Sequence, residues 1–94
     1  MPNRKFKWWA AIDHALYRYP KTNDPDITRA MERLSKTPHG QEANALLLLV
    51  YFKQRNTLAG AAPLCGLTGR TASRRIAMAH FYIAEEKGYI SKKT

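Results

Sequence analysis

Two arginines spaced four residues apart are the side chains in this sequence whose type and spacing best suit a binding task. Arg70 and Arg74 stand in the segment GRTASR, with Thr71 and Ser73 between them. Guanidinium groups donate paired hydrogen bonds to guanine edges, and hydroxyl groups bond to bases or to nearby phosphates. The segment therefore predicts base contacts by Arg70 and Arg74 from one helix face, with Thr71 and Ser73 on its flanks touching bases or the nearest phosphates.

A tight turn between two helices is predicted just before this face. A short helix is expected over about Leu58–Cys65, with Ala62 where the two helices approach and Pro63 causing a kink or a 3₁₀ turn. Gly66 suits the left-handed conformation that ends many helices, and Thr68 suits the N-cap of the next one. A helix, a tight turn and a second helix in this order are typical of a helix-turn-helix DNA-binding unit.

The second helix of this unit is expected to begin near Gly69 and to end at about Lys87, with Gly88 as its C-cap. Arg70 lies opposite its apolar stripe. Phe81 also lies almost opposite the stripe, so it needs cover, either from the N-terminal helix or from a second copy of the chain in a homodimer. The stripe is predicted to consist of Ala72, Ile76, Ala79 and Ile83.

The charge balance indicates a polyanionic partner. Sixteen Lys and Arg residues against seven Asp and Glu residues give a net charge of +9 and a pI of about 10.1, which favours nucleic acid over an acidic membrane surface. Residues 43–84 contain no acidic residue at all. In and around the predicted unit, contacts to the DNA backbone are expected from Lys53, Arg55, Thr57, Thr68 and Arg75.

Three further helices are predicted ahead of the unit, which gives an all-α domain of five helices over residues 1–94. The first is expected over about Arg4–Tyr19, where Pro20 ends it. The second begins at the cap Asp24 and ends near Lys36, so that residues 4–37 form an N-terminal helical hairpin.

The third predicted helix is apolar nearly all round and runs from about residue 40 to Gln54. A helix of this kind is packed on several sides, so we expect it to form the core with the helix-turn-helix unit over residues 40–90. Thr37–Gly40, between the second and third helices, is predicted to be an internal linker.

No set of side chains has catalytic or metal-binding spacing. His14, His39 and His80 are far apart, and none lies four residues from another histidine or a carboxylate. The single cysteine, Cys65, has no partner for a disulfide or a zinc site, which fits a reducing cytoplasm. No apolar run is long enough to cross a bilayer. We therefore expect a cytoplasmic protein without enzyme activity, cofactor, metal or membrane contact.

Two stretches of the sequence carry a family resemblance. The LYRYP step at Leu16–Pro20 and the segment LLLLVYFKQRNTLAGAAPLCGLTGRTASRRIAMAHFYIAEEKGY together resemble the RinA/ArpU group of phage transcriptional activators over about Trp8–Tyr89. The second half is similar to region 4 of sigma factors. The resemblance implies control of phage or mobile-element genes through promoter DNA. It also implies that the groove-reading positions, and so the base contacts, are Gly69, Arg70, Thr71, Ser73 and Arg74.

The predicted function is therefore sequence-specific binding of double-stranded DNA by a transcriptional regulator. Two alternatives fit the same features. An antiterminator-like phage protein would bind host RNA polymerase through an apolar helix and use its charge only for solubility. A small DNA-packaging subunit would bind DNA through the same motif while assembling into rings.

Overall fold

Five α-helices make up the chain in the computed structural model, which describes residues 6–91. The helices are α1 (Trp9–Thr22), α2 (Pro25–Leu34), α3 (Pro38–Leu47), α4 (Leu58–Leu64) and α5 (Gly69–Lys87), and α3 continues into a π-helical turn over Leu48–Phe52. No strand occurs within the described residues, so the predicted all-α class with five helices is confirmed. None of these helices combines the length and the apolar character that crossing a membrane requires.

The first helix runs further along the chain than predicted. It begins at Trp9, whereas the predicted start near residue 4 lies outside the described residues. Pro20 does not end the helix, so that prediction is wrong. Because Pro20 falls in the last turn, it disturbs little of the helix, which continues to Thr22. Asn23 then takes a left-handed conformation, with φ of 49°, and donates its N–H to the Tyr19 carbonyl at 2.8 Å.

The junction between α2 and α3 is structured rather than a linker. Asp24 caps α2 as predicted, but Thr37–Gly40 form the cap and first turn of α3. The Thr37 hydroxyl accepts the Gly40 N–H at 3.0 Å, and Pro38 takes the first helical position, where no N–H is required. A Cβ atom at Gly40 would overlap the Leu34 carbonyl oxygen, so glycine lets α2 and α3 approach closely.

The third predicted helix changes its geometry before it ends. It is α-helical to Leu47 and then widens into the π-helical turn, in which the Lys53 N–H donates to the Leu48 carbonyl five residues earlier at 2.8 Å. Gln54 follows with φ of 54°, so the chain leaves the helix there. Tyr51 lies in this turn, and its side chain is buried.

The core lies around α3 and α5. Helix α5 packs against each of the other four helices, and α3 packs against α2, α4 and α5. The predicted position of the third helix at the centre is thus confirmed. The predicted stripe of α5 is also confirmed, because all of its members are buried: Ala72, Ile76, Ala79 and Ile83.

Aromatic residues at the N-terminal end cover Phe81. The ring centroids of Phe6, Trp8 and Trp9 lie 5.2, 5.6 and 6.5 Å from that of Phe81, each close to perpendicular to it. Such edge-to-face pairs are favourable beyond their buried area. The first of the two predicted covers for Phe81, the N-terminal part of the chain, is therefore the one that the structure contains.

Candidate nucleic-acid interface

The chain bends between α4 and α5 as predicted, and hydrogen bonds fix the bend. Gly66 has φ of 70°. Its N–H donates to the Pro63 carbonyl at 3.0 Å, and the N–H of Leu67 donates to the Ala62 carbonyl at 2.9 Å, which together make a Schellman motif. Leu67 is half-buried against the core, and Ala62 is buried. The turn is therefore held by both its backbone and its apolar contacts.

Helix α4 carries Pro63 without breaking. The chain is α-helical through Leu64. At the next residue the Cys65 N–H is shared between the Ala61 carbonyl at 3.2 Å and the Ala62 carbonyl at 3.1 Å, which is the tighter spacing of a 3₁₀ turn. The predicted 3₁₀ character is thus confined to the helix end.

The first turn of α5 is open to the outside. The Thr68 hydroxyl accepts the Thr71 N–H at 3.2 Å and donates to the Thr71 hydroxyl oxygen at 3.1 Å. This arrangement confirms the predicted N-cap and leaves the Thr71 hydroxyl hydrogen available to an acceptor outside the chain. A Cβ atom added to Gly69 would meet nothing within 4 Å. An external molecule can therefore approach the backbone closely at this point.

Arg70 and Arg74 lie on the exposed side of α5, and Ser73 between them is half-buried. Within residues 6–91 neither guanidinium group has an acidic partner. Arg70 lies in the first turn of α5, at the positive end of the helix dipole, and this turn contains no acidic residue that would offset its charge. A cation at that end is unfavourable in the free protein. A bound anion would remove the mismatch.

Arg75 differs from its neighbour Arg74. Its Nε atom donates to Glu42 Oε1 on α3 at 2.8 Å, and its side chain is only 15% exposed. Arg75 was expected to contact the DNA backbone. In the structure its guanidinium group is bound to Glu42 and joins α5 to α3, so Arg75 is less available to an external partner than Arg74.

The loop before α4 supplies two further cations. Lys53 and Arg55 are exposed and unpaired within the described part of the chain. The loop is held against α1, because Gln54 Nε2 donates to the Tyr17 carbonyl at 3.2 Å. The Thr57 hydroxyl caps α4. Lys53 and Arg55 therefore lie just before α4, and Thr57 lies at its N-terminus.

Internal pairing leaves the positive charge unevenly distributed. Within residues 6–91 every carboxylate except that of Glu32 has a hydrogen-bond or ion-pair partner. The cations that these carboxylates neutralise are Arg29, Arg33, Arg75 and Lys87. The described cations without an acidic partner are Lys7, Arg18, Lys21, Lys36, Lys53, Arg55, Arg70 and Arg74.

A cluster of polar side chains around His80 was not predicted from the sequence. His80 is fully buried, with Nε2 2.7 Å from Asp13 Oδ1 and Nδ1 2.9 Å from the Ile76 carbonyl oxygen. The Tyr51 hydroxyl donates to the same Asp13 oxygen at 2.8 Å, and the Trp9 ring stacks on His80 with a centroid distance of 4.0 Å. The cluster ties α1 and the π-helical turn to α5.

The cluster also shifts the ionisation of its members. Burial alone would raise the pKa of Asp13, but the hydrogen bonds from His80 and Tyr51 outweigh burial and lower the pKa on balance. Burial, with the Asp13 carboxylate next to it, raises the pKa of the Tyr51 hydroxyl. Asp13 and His80 are 67 residues apart in the chain, so no local pattern could have revealed the pair. Among the described residues no group of three or more His, Cys, Asp and Glu side chains could hold a metal ion.

No model of a known protein family matches this chain, and neither the curated proteins nor the solved structures contain a significant match to it. The resemblance to the RinA/ArpU group therefore stays a prediction from the residues quoted above. The geometry of α4, the turn and α5 is the remaining basis for a functional proposal.

Proposed function

We propose that this chain is a cytoplasmic, sequence-specific, double-stranded DNA-binding transcriptional regulator. Helix α5 enters the major groove with its N-terminal end, and α4 crosses the backbone beside it, as in a helix-turn-helix unit. One observation carries the proposal: Arg70 and Arg74 are exposed and unpaired on one face of α5, directly after a turn that is fixed by its own hydrogen bonds.

Base reading falls to the exposed face of α5. Arg70 and Arg74 donate paired hydrogen bonds to guanine O6 and N7, while Thr71 and Ser73 bond to neighbouring bases or phosphates. The open backbone at Gly69 supports this arrangement, because no side chain there keeps the DNA away from the helix.

Backbone contacts come from the loop before α4. Lys53 and Arg55 neutralise phosphates, and Thr57 and Thr68 lie at the two helix N-termini, where backbone N–H groups favour phosphate oxygens. These contacts fix the register of α5 on the duplex but carry no sequence information. The resemblance to the RinA/ArpU group extends the proposal to activation of phage or mobile-element genes.

Selection of bound sites from a random duplex pool, followed by sequencing, tests the proposal directly. The expected result is an enriched site with guanines at the positions that Arg70 and Arg74 contact. An Arg74→Ala variant put through the same selection should lose the preference at one base pair while the rest of the site is retained. Recovery of unenriched sequences by the unaltered chain would refute sequence-specific binding.

A further inference from the structure

Both ring nitrogens of His80 face oxygen atoms that can accept a hydrogen bond. Nδ1 lies 2.9 Å from the carbonyl oxygen of Ile76, and Nε2 lies 2.7 Å from Oδ1 of Asp13. A carbonyl oxygen has no hydrogen to donate, so the hydrogen of the first bond belongs to Nδ1. A neutral imidazole would then present the lone pair of Nε2 to the Asp13 oxygen. The imidazolium, with a hydrogen on each nitrogen, is the form of the ring that donates at both positions.

The Asp13 carboxyl group is ionised in this arrangement. Its Oδ1 atom accepts the Tyr51 hydroxyl at 2.8 Å as well as the His80 nitrogen. Burial alone would raise the pKa of Asp13, but these bonds lower it on balance. Burial also raises the pKa of Tyr51, so its hydroxyl keeps its hydrogen and remains a donor. The hydrogen between Asp13 and His80 therefore belongs to the imidazole ring.

The surroundings of the His80 ring suit a buried cation. The Trp9 ring lies against it with a centroid distance of 4.0 Å and an angle of 10° between the two planes, so the face of an aromatic ring covers the charge. His80 itself is fully buried, and Asp13 supplies the compensating negative charge. A cavity of about 210 Å³ lies beside the pair, and the Asp13 side chain is 31% exposed, so water can carry a proton to and from it.

Within residues 6–91, Asp13 from α1 and Tyr51 from the π-helical turn are the titratable groups that face His80. Helix α4 contains no charged residue, and the other charged residues of α1, Arg18 and Lys21, are exposed. The charged residues that α2 and α3 bond to α5 meet it at other positions. These bonds join Arg29 and Arg33 to Glu85 and Glu86, Asp24 and Asp26 to Lys87, and Glu42 to Arg75.

We infer that Asp13 and His80 form a proton-operated joint, which holds α1 and the π-helical turn against α5 while both ring nitrogens of His80 carry hydrogen. When Nε2 loses its proton to water, Nδ1 keeps its hydrogen and its bond to Ile76. Two acceptors then face each other 2.7 Å apart, and the contact between the helices becomes repulsive. The π-helical turn leads directly into the loop with Lys53 and Arg55, so opening the joint also frees that loop from α5.

The direction of the pH dependence follows from the charge that is bonded. A histidine that gains a carboxylate partner on folding contributes stability that is present at lower pH and is lost as the pH rises. Because one proton is released, the equilibrium constant for opening the joint rises by at most about tenfold per pH unit. The inference concerns the chain without DNA, so it stands or falls separately from the proposed DNA binding.

Nuclear magnetic resonance and hydrogen exchange on the full chain without DNA, from about pH 5 to about pH 9, test the inference. At the lower end the two ring nitrogens of His80 should have similar chemical shifts, as in an imidazolium, and the shifts should separate as the pH rises. Over the same interval the backbone amides of α1 should lose protection relative to those of α2, by up to about tenfold per pH unit. The α2 amides are the internal reference, because the ion pairs between α2 and α5 contain no histidine.

Asp13→Asn separates the proton from packing. Its amide group has two hydrogens, one for a neutral Nε2 of His80 and one for the Tyr51 hydroxyl oxygen, so the joint should stay closed and the protection of α1 relative to α2 should no longer depend on pH. His14→Gln/His39→Gln is the matched control, because it removes the two exposed histidines, and it should keep the pH dependence of the unaltered chain.

Three outcomes in the unaltered chain would overturn the inference, and none of them needs a variant to fold. They are a neutral His80 at every pH, a His80 that keeps both hydrogens throughout, and an α1 protection relative to α2 that is the same at both ends of the range. The same pH dependence in Asp13→Asn as in the unaltered chain would overturn it as well, since the carboxylate would then play no part.

Discussion

Each end of α5 carries charged side chains that the helix dipole disfavours, but the two ends differ in whether another side chain compensates these charges. At the C-terminal end, Glu85 and Glu86 stand where the helix dipole disfavours acids, and Arg33 on α2 pairs with both. At the N-terminal end, Arg70 and Arg74 are cations near the end that disfavours them, and within residues 6–91 no acid pairs with either. The first mismatch is resolved inside the molecule, whereas the second has no acidic partner within the described residues.

The paired end is a structural joint. Arg33 donates to Glu85 Oε1 at 2.7 Å and to Glu86 Oε2 at 2.8 Å, and both carboxylates are largely buried. Burial alone would lower the pKa of Arg33, but its bonds to these carboxylates raise it on balance. Lys87 behaves in the same way with Asp24 at 2.6 Å. The ion pairs at this end therefore hold α2 against α5.

Breaking the paired end should produce the largest effect, and it should be on stability. Arg33→Ala removes two charge-assisted bonds to carboxylates that are nearly buried, together with the contact of its guanidinium with the Tyr82 ring, so we expect a loss of about 2–3 kcal/mol in the free energy of unfolding. Urea denaturation measures it. Lys36→Ala, an exposed and unpaired control, should stay within about 0.5 kcal/mol of the unaltered chain. Equal losses in both variants would contradict the contrast between paired and unpaired cations.

Changing the open end should affect DNA binding rather than stability. Arg74→Ala is expected to weaken binding to the selected duplex by about 1–3 kcal/mol and to leave the free energy of unfolding within about 0.5 kcal/mol. Its neighbour provides the comparison: Arg75→Ala should lower stability by about 1 kcal/mol, since it breaks the bond to Glu42, and should affect binding less. Fluorescence anisotropy measures DNA binding by both variants, and urea denaturation measures their stability. A larger loss of binding in Arg75→Ala than in Arg74→Ala would contradict the comparison.

Of the two ends of α5, acid should loosen the paired end. Burial alone would raise the pKa of Asp24, but the bonds from Lys87 and from the Asp26 N–H lower it below its ordinary value on balance. A lowered pKa in the folded state means that the stabilisation is present above about pH 4 and is lost as the pH falls through the lowered value.

Asp24→Asn isolates that charge, because asparagine is an equally good N-cap. The variant should be less stable by up to about 1 kcal/mol at pH 7, and the difference should be smaller at about pH 3, since it is lost as the pH falls through the lowered pKa of Asp24. Unfolding curves at the two pH values measure it. A difference that is the same at both pH values would mean that the Lys87 pair contributes nothing.

The smallest expected effect is that of Gly69→Ala, which should change stability and DNA affinity in opposite directions. Gly69 has no positive φ and a Cβ atom there meets nothing within 4 Å, so Gly69→Ala should raise the free energy of unfolding by a few tenths of a kcal/mol. The same methyl group lies where the DNA approaches the backbone, so binding should become weaker. Thermal denaturation and anisotropy give the two signs, and stronger binding by the alanine variant would place the DNA elsewhere.

Local sequence signals were sufficient for the helices and for the bend. Thr68, Gly66 and Gly88 each act through their own backbone position, and the stripe of α5 follows from helical spacing alone. These features need no knowledge of distant residues. The bounds of α4 and α5 and the turn between them could therefore be anticipated to within a residue or two.

Features that depend on tertiary contacts were not predictable. Thr37–Gly40 form the start of α3, where Gly40 packs against the backbone of Leu34 on the preceding helix. The pairing of Arg75 with Glu42 joins residues 33 positions apart. In each case the outcome is decided by an element that is distant in the chain or by packing, which composition and periodicity do not contain.

The measurement that tests the account most directly is the salt dependence of DNA affinity for two double variants with the same net charge. If Lys53 and Arg55 neutralise two phosphates, the unaltered chain should show a slope of log affinity against log salt of about −2. Arg70→Ala/Arg74→Ala should weaken binding and abolish preference for the selected site with little change in that slope, whereas Arg18→Ala/Lys36→Ala should change neither affinity nor preference. Equal losses in the two double variants would show that affinity follows net charge alone, and would contradict a DNA-reading face on α5.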